Sequence, residues 1–198
     1  MELEQVDLTR LNRHYETALS LARIVLAEEF FEDLTSGEHQ SFALFINMNS
    51  IFEAMVERAF REACGRLDGN WSVNGQASIP NLIDGPHAVS MTPDVVVSDR
   101  DTGDCLVADA KWKTGSPSAG DVYQLTSYIL ALEAPGVIVY PGQADRVSAR
   151  LIVNGEYPLQ SVELPTVADV DTYEQYRNQL INAAKMVLME SIAVSSAG

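Results

Sequence analysis

Lysine is the scarcest charged residue in this 198-residue chain: only Lys111, Lys113 and Lys185 occur. Lysine and arginine together number 13 against 28 aspartates and glutamates, a formal charge of −15 at pH 7. Duplex DNA presents a dense row of negative charge, so this balance argues against a module that holds DNA by its own surface. It fits a basic membrane-surface protein no better. Two cysteines, Cys64 and Cys105, are too few for a disulfide framework or a four-thiolate metal site. His14, His39 and His87 are scattered and match no metal-ligand spacing. No apolar run approaches the length of a membrane span. Met1-Glu2-Leu3-Glu4 is acidic and has no basic n-region or apolar h-region of a signal peptide. Together these absences predict a cytoplasmic protein with free thiols and no membrane contact.

What is present is a core. Hydrophobic residues make up 46% of the chain, enough for one globular domain at this length. Apolar residues recur at helical spacing from Leu8 to Phe31 and again from Phe45 to Ala63, where Phe52, Met55, Ala59 and Phe60 share a face and Gly65 follows as a C-cap. Between them Asp33 to Gln40 reads as a polar break. The texture then becomes strand and turn: Trp71–Ile79, Thr92–Ser98, Cys105–Trp112, Val137–Tyr140, Val147–Val153 and Leu159–Leu164 are strand candidates. The polar run Asp99–Asp104, with Gly103, makes the second and third of these a hairpin. Asp121–Glu133 and Val170–Ser191 read as helices. The expected fold is α/β, a mixed central sheet flanked by helices, in one domain over 1–192. The helical segment 8–31 precedes the sheet, and 193–198 is expected as a disordered tail.

The hairpin carries the unusual chemistry. Asp94 opens one strand, Asp109 lies near the end of its partner, and Lys111 follows two residues later on the same face. Strand interiors disfavour Asp and Lys, and burying their charges is costly unless they are paired or bind a metal. A structural ion pair between Asp109 and Lys111 would satisfy that condition. Further polar groups point to a second explanation: Glu53 on the buried side of the helix before the sheet, and Gln124 and Tyr128 one turn apart on the helix after it. Carboxylates with an adjacent lysine suit phosphodiester cleavage, because oxygen ligands hold Mg²⁺, which acidifies water and stabilises developing negative charge.

Pro93-Asp94 followed by Asp109-Ala110-Lys111 resembles the signature of the PD-(D/E)XK nucleases. Gln124-x-x-x-Tyr128 is similar to the motif after it in the RecB-like branch. The run from Phe42 to Glu53, Val107 to Lys113 and Asp121 to Gln124 together resemble the ordered segments of McrC, the nuclease subunit of the McrBC restriction systems. The resemblance spans Leu8 to Tyr140. It implies a restriction-endonuclease-like fold and a Mg²⁺-dependent DNA endonuclease, with Mn²⁺ as a possible substitute, serving an McrBC-like restriction or anti-phage defence system. It further implies Asp94, Asp109, Glu53 and the Ala110 carbonyl as metal ligands and Lys111 as the catalytic lysine. Gln124 would orient Lys111 or a phosphate, Tyr128 would support it, and Lys113 would contact phosphate. Asn47 and Ser50 stand where the family has Asp and Lys.

McrC-like proteins also carry an N-terminal region that engages an AAA+ GTPase of McrB type, and no such region is recognised here. The resemblance therefore implies a lone nuclease domain, a shortened form or a subunit recruited differently. A non-catalytic assembly subunit docked on an AAA+ motor is the alternative. Other signals are set aside. Asp99-x-Asp101-x-Gly103-Asp104 lacks the distal Glu of a calcium loop, and Gly115–Gly120 fits neither a nucleophile elbow nor a phosphate loop. Arg58, Arg61 and Arg66 read as a solvated helix face, and Trp112 as packing on the sheet face opposite Lys111.

Overall fold

The strand candidates from Trp71 to Leu164 alternate between two apolar faces, and both faces are covered. The computed structural model describes residues 31–36, 39–44, 47–83, 85–86, 88, 90–142, 147–166 and 170–195. Two compact units divide at Asn47/Met48. In the first, β1 (Phe31–Ser36) and β2 (His39–Leu44) form an antiparallel hairpin with Phe31 opposite Leu44 and Ser36 opposite His39. The expected polar break at Asp33–Gln40 is thus corrected. Its low strand propensity gives way to cross-strand pairing, which local composition does not report. The helix expected over 8–31 lies outside the described residues except at Phe31, which is in β1.

The second unit holds α1 (Met48–Cys64), β3 (Trp71–Gly75), β4 (Val95–Asp99), β5 (Cys105–Ala110), α2 (Ala119–Leu132), β6 (Gly136–Gly142), β7 (Val147–Val153), β8 (Tyr157–Pro165) and α3 (Tyr173–Ser195). The last helix continues four residues past its predicted end at Ser191. The sheet order is β3-β4-β5-β6-β8-β7. Strands β3 to β5 are antiparallel, β5, β6 and β8 run parallel, and β7 returns antiparallel on β8. The β7–β8 turn is set by Asn154 and Gly155, both at positive φ (54° and 74°), the pairing a type I′ turn requires.

Side-chain alternation sorts the core into two layers. On one face Val95, Val97, Leu106, Ala108, Val137, Val139 and Val162 meet α1 and α3 through Phe52, Phe60, Ile181 and Leu188. On the other, Val96, Val107, Ile138, Tyr140 and Leu159 meet α2 through Leu125, Tyr128 and Ile129. Burying each large apolar side chain contributes about 1.5–3 kcal/mol, so the helices are held mainly by these faces. The anticipated mixed α/β sheet with flanking helices is what the chain builds. Among the described residues no helix is long and apolar enough to cross a membrane.

Candidate active site

Period-two alternation puts Asp109 and Lys111 on the α2 face with Val107, and Asp94 on that face with Val96. Val95 pairs with Ala108, so the hairpin brings Asp94 level with Asp109 one step beyond the last paired residues. Asp94 Oδ2 accepts a 2.7 Å hydrogen bond from the Ala110 N–H, and the Gln76 N–H donates to the Asp94 carbonyl at 3.0 Å. Asp109 is only 1% exposed. Its Oδ2 lies 2.7 Å from the Lys111 ammonium and receives no well-directed hydrogen bond. Lys111 Nζ also donates to Gln124 Oε1 at 3.2 Å. Gln124 Nε2 donates to the Tyr128 hydroxyl at 2.9 Å, and that hydroxyl donates to the Thr92 carbonyl at 3.4 Å. Sequence-distant Glu53 reaches the group from α1, accepting a 3.5 Å bond from Gln76 Nε2.

Electrostatics register the crowding. Burial pushes the Asp109 carboxyl up to about 6, with Asp94 and Asp121 adding to the rise and Lys111 opposing it. Asp94 is raised by burial against the Ala110 hydrogen bond and the Lys111 charge. Glu53 is raised by burial and then by the charge of Asp94. Burial works to lower the Lys111 pKa, but Asp109, Asp94 and Asp121 outweigh it and the ammonium is held above its ordinary value. Thus Glu53, Asp94, Asp109, Lys111 and Gln124, all expected from the sequence, occupy one neighbourhood, with Tyr128 beneath Gln124.

Lys113, expected to contact phosphate, pairs with the Asp121 carboxylate, with Ser118 Oγ 3.5 Å away. Asp121 and Ser118 close a capping box at the start of α2, a hydrogen-bonded pairing written in the sequence as Ser118-x-x-Asp121. Tyr140 donates to Asp121 Oδ2 at 3.3 Å from β6. Neither Asp121 nor Tyr140 was assigned a role from the sequence, although the capping signal for the first was legible. Trp112 turns to the other face, its ring 5.6 Å from Phe52. The turn at Asp99–Asp104 is closed by Asp99, whose Oδ1 accepts from the N–H groups of Asn70 and Asp101, each at 3.0 Å.

Two features suit a divalent cation: the buried Asp109 carboxylate, whose Oδ2 meets the Lys111 ammonium but no well-directed hydrogen bond, and three carboxyl groups near one another that are each raised by burial. Among the described residues no three His, Cys, Asp or Glu side chains converge as a ligand set. An ion here would therefore take Asp94 and Asp109 with main-chain oxygen and water, the sparse oxygen environment that Mg²⁺ accepts. Beside the site, Leu82, Ile83, Met91, Gln124 and Tyr128 line an apolar hollow of about 350 Å³.

A family model described as McrBC 5-methylcytosine restriction system component matches residues 1–141. No curated protein matches the chain. Among solved structures, the chain is similar to a chain from a refined half-complex of the tetradecameric assembly of Thermococcus gammatolerans McrB AAA+ hexamers with bound McrC. That match is 20% identical over 91% of this chain and 41% of the other, with a TM-score of 0.59. It is also similar, at 15% identity and a TM-score of 0.46, to a Vibrio cholerae protein, covering 94% of this chain and 46% of that one. The chain spans under half the length of each of these two chains. At 20% identity the first likeness shows the fold, the restriction-endonuclease-like architecture expected from the sequence.

Proposed function

Since the chain belongs to the family of McrBC 5-methylcytosine restriction system components, we propose that it is the nuclease component of such a system, a Mg²⁺-dependent DNA endonuclease. The observation that carries this is the grouping of Asp94, Asp109 and Lys111 at one end of the β4–β5 hairpin, with Gln124 on the lysine. Asp94, Asp109 and the Ala110 carbonyl would hold the cation. When bound it supplies a more acidic water and positive charge beside the phosphate. The chain's own residues do the rest. Lys111 presents an ammonium to the charge that develops on the phosphate, and Gln124 fixes where that ammonium points. Glu53 accepts a proton or hydrogen-bonds the attacking water from the α1 side.

Substrate delivery falls to a partner. The formal charge of −15 opposes unaided DNA binding, and the Arg58, Arg61 and Lys113 side chains are already engaged by carboxylates. The solved assembly to which the chain is similar contains McrB AAA+ hexamers with bound McrC, and we assign this chain a partner of that AAA+ type. The test is cleavage of methylated and unmethylated duplex, single-stranded DNA and RNA, with Mg²⁺, Mn²⁺ or EDTA. Asp109→Ala and Lys111→Ala should each lower duplex cleavage by about 10²–10³-fold while the protein stays folded. Parent-like cleavage by both variants sinks the assignment.

One observation favours a second reading, a non-catalytic assembly subunit. The Lys111 ammonium already neutralises Asp109, so the fold can satisfy this buried charge internally. Calorimetric titration with Mg²⁺ and Mn²⁺ separates the two: absence of binding, with no cleavage of any substrate, supports the assembly role.

A further inference from the structure

Lys111 and Lys113 are two residues apart at the end of β5, and each is captured by a different residue of α2. Lys111 Nζ donates to Gln124 Oε1 at 3.2 Å, and Lys113 Nζ donates to Asp121 Oδ2. Asp121 and Gln124 are three residues apart, hence neighbours on one helix face. Two rungs therefore join the strand end to the first turns of the helix. Between them the chain makes the loop Thr114–Ser118, with Gly115 at φ +101°.

The Asp121 rung is the more heavily built. Its Oδ2 accepts from Lys113 Nζ, from the Ser118 N–H at 2.7 Å and from the Tyr140 hydroxyl at 3.3 Å. Its own N–H returns a 3.3 Å bond to Ser118 Oγ. One buried carboxylate is thus bonded to the segment after β5, to the loop, and to β6, while sitting in the first turn of α2. Charge-assisted bonds of this kind are about twice as strong as neutral ones, and several on one oxygen resist sliding of the helix along the strand end.

We propose that Asp121 is a positioning residue of the site: by clamping Lys113, Ser118 and Tyr140 it fixes where α2 starts relative to β5, and so sets Gln124 Oε1 against Lys111 Nζ. Among the described residues Asp121 hydrogen-bonds Lys113, Ser118 and Tyr140 and not Asp94, Asp109 or Glu53, so beyond its charge it acts on the site through Gln124 and Lys111. The proposal rests on Lys111 being the lysine of the site, but its test reads Lys111 directly and does not depend on cleavage.

The scarcity of lysine makes that test clean. Reductive methylation of the metal-free full chain is followed residue by residue by mass spectrometry, with Lys185 on α3 as internal control. Asp121→Ala should raise the Lys111 modification rate about fivefold, the scale of one lost hydrogen bond. Gln124→Ala should raise it equally, the double variant no further, and Lys185 should not change. A carboxylate that only caps the helix would lower the melting temperature and leave Lys111 at the parent rate or, acting by its charge alone, would add its effect to that of Gln124→Ala. The parent rate in a folded Asp121→Ala, or additive increases in the double variant, overturns the proposal. If Lys185 also becomes reactive in Asp121→Ala, Asp121→Asn decides, since it keeps an acceptor for Ser118 and drops the charge on Lys113. A rise at Lys111 that disappears when Gln124→Ala is added supports the clamp, because a direct effect of the lost charge would persist without Gln124; the parent rate, or an additive rise, overturns it. Failure of the parent to cleave DNA counts against the nuclease reading and leaves the lysine result standing.

Discussion

The Ala110 N–H donates to Asp94 Oδ2 at 2.7 Å, tying the carboxylate of one hairpin strand to the main chain of the other directly beside Asp109. Two acidic residues that repel one another are thereby held together by a bond that neither can make to the other. The attachment converts a hairpin register into a constellation.

Removing the acceptor tests this. Asp94→Ala leaves the Ala110 N–H without its partner and should cost about 1–3 kcal/mol, whereas Asp94→Asn keeps an acceptor oxygen and should cost less. Denaturant unfolding of the metal-free proteins checks the order. Equal stability of the two variants would mean that the bond contributes nothing beyond neutral packing.

Asp109 makes stability depend on pH with a definite sign. Burial first, then the charges of Asp94 and Asp121, raise its pKa from 3.8 to about 6 against the pull of Lys111. Across that window the folded chain keeps a proton that the unfolded chain has released. The contribution is therefore fully present below 3.8, declines as pH rises toward 6, and is absent above. Asp109→Asn should remove this decline and stabilise the metal-free protein at pH 8 by roughly 1–3 kcal/mol, while abolishing cleavage. Thermal melts of parent and variant in EDTA from pH 4 to 8 give the comparison, and a variant less stable at pH 8 contradicts it.

Cation binding should act on the same residue. Mg²⁺ at a hundredfold excess over its dissociation constant stabilises a folded state that alone binds it by about 2.7 kcal/mol. The parent melting temperature should rise with Mg²⁺, and that of Asp109→Asn should stay where EDTA leaves it. Equal rises in both proteins would place any binding elsewhere.

Two glycines make a contrasting pair. A Cβ on Gly136 would come within 2.6 Å of Ile129 Cδ1 and Cγ1 and 3.0 Å of Leu125 Cδ1. Both side chains are fully buried between α2 and the sheet, so Gly136→Ala should cost about 1–3 kcal/mol, with partial recovery in Gly136→Ala/Ile129→Val. A Cβ on Gly75 would meet the Glu57 carboxylate instead. That group ends a flexible side chain, so Gly75→Ala should cost under about 1 kcal/mol. Melting temperatures of the three variants settle the ranking.

Legibility in the sequence followed the range of the forces involved. The β4–β5 hairpin, α1 and α2 were readable because periodicity, turn residues and caps act over a few positions. Asp94, Asp109 and Lys111 stood out because charges inside an apolar strand demand a partner. Glu53 could be placed on a buried helix side, while its approach to Asp94 depends on how α1 lies on the sheet, a matter of packing between distant elements. The β1–β2 hairpin was missed because Glu32, Asp33 and Ser41 carry little strand preference of their own, and the pairing of Phe31 with Leu44 is not a local signal. The partner of Lys113 was hidden for a related reason. The lysine charge was visible, but the Asp121 carboxylate that takes it comes from the next helix.

The arrangement also bears on the order in which the molecule acquires its shape. From Asp94 to Tyr128 the grouped residues lie on one hairpin and the helix that follows it, close together along the chain. Contacts of short sequence separation close at small entropic cost and form readily during folding. Glu53 joins from an earlier helix, and its seat requires α1 to be docked on the completed sheet through Phe52 and Phe60. The cluster of Asp94, Asp109 and Lys111 should thus be an early product of the folding reaction and the Glu53 carboxylate a late arrival. Weakening the α1 interface would then detach one acid from an otherwise finished site.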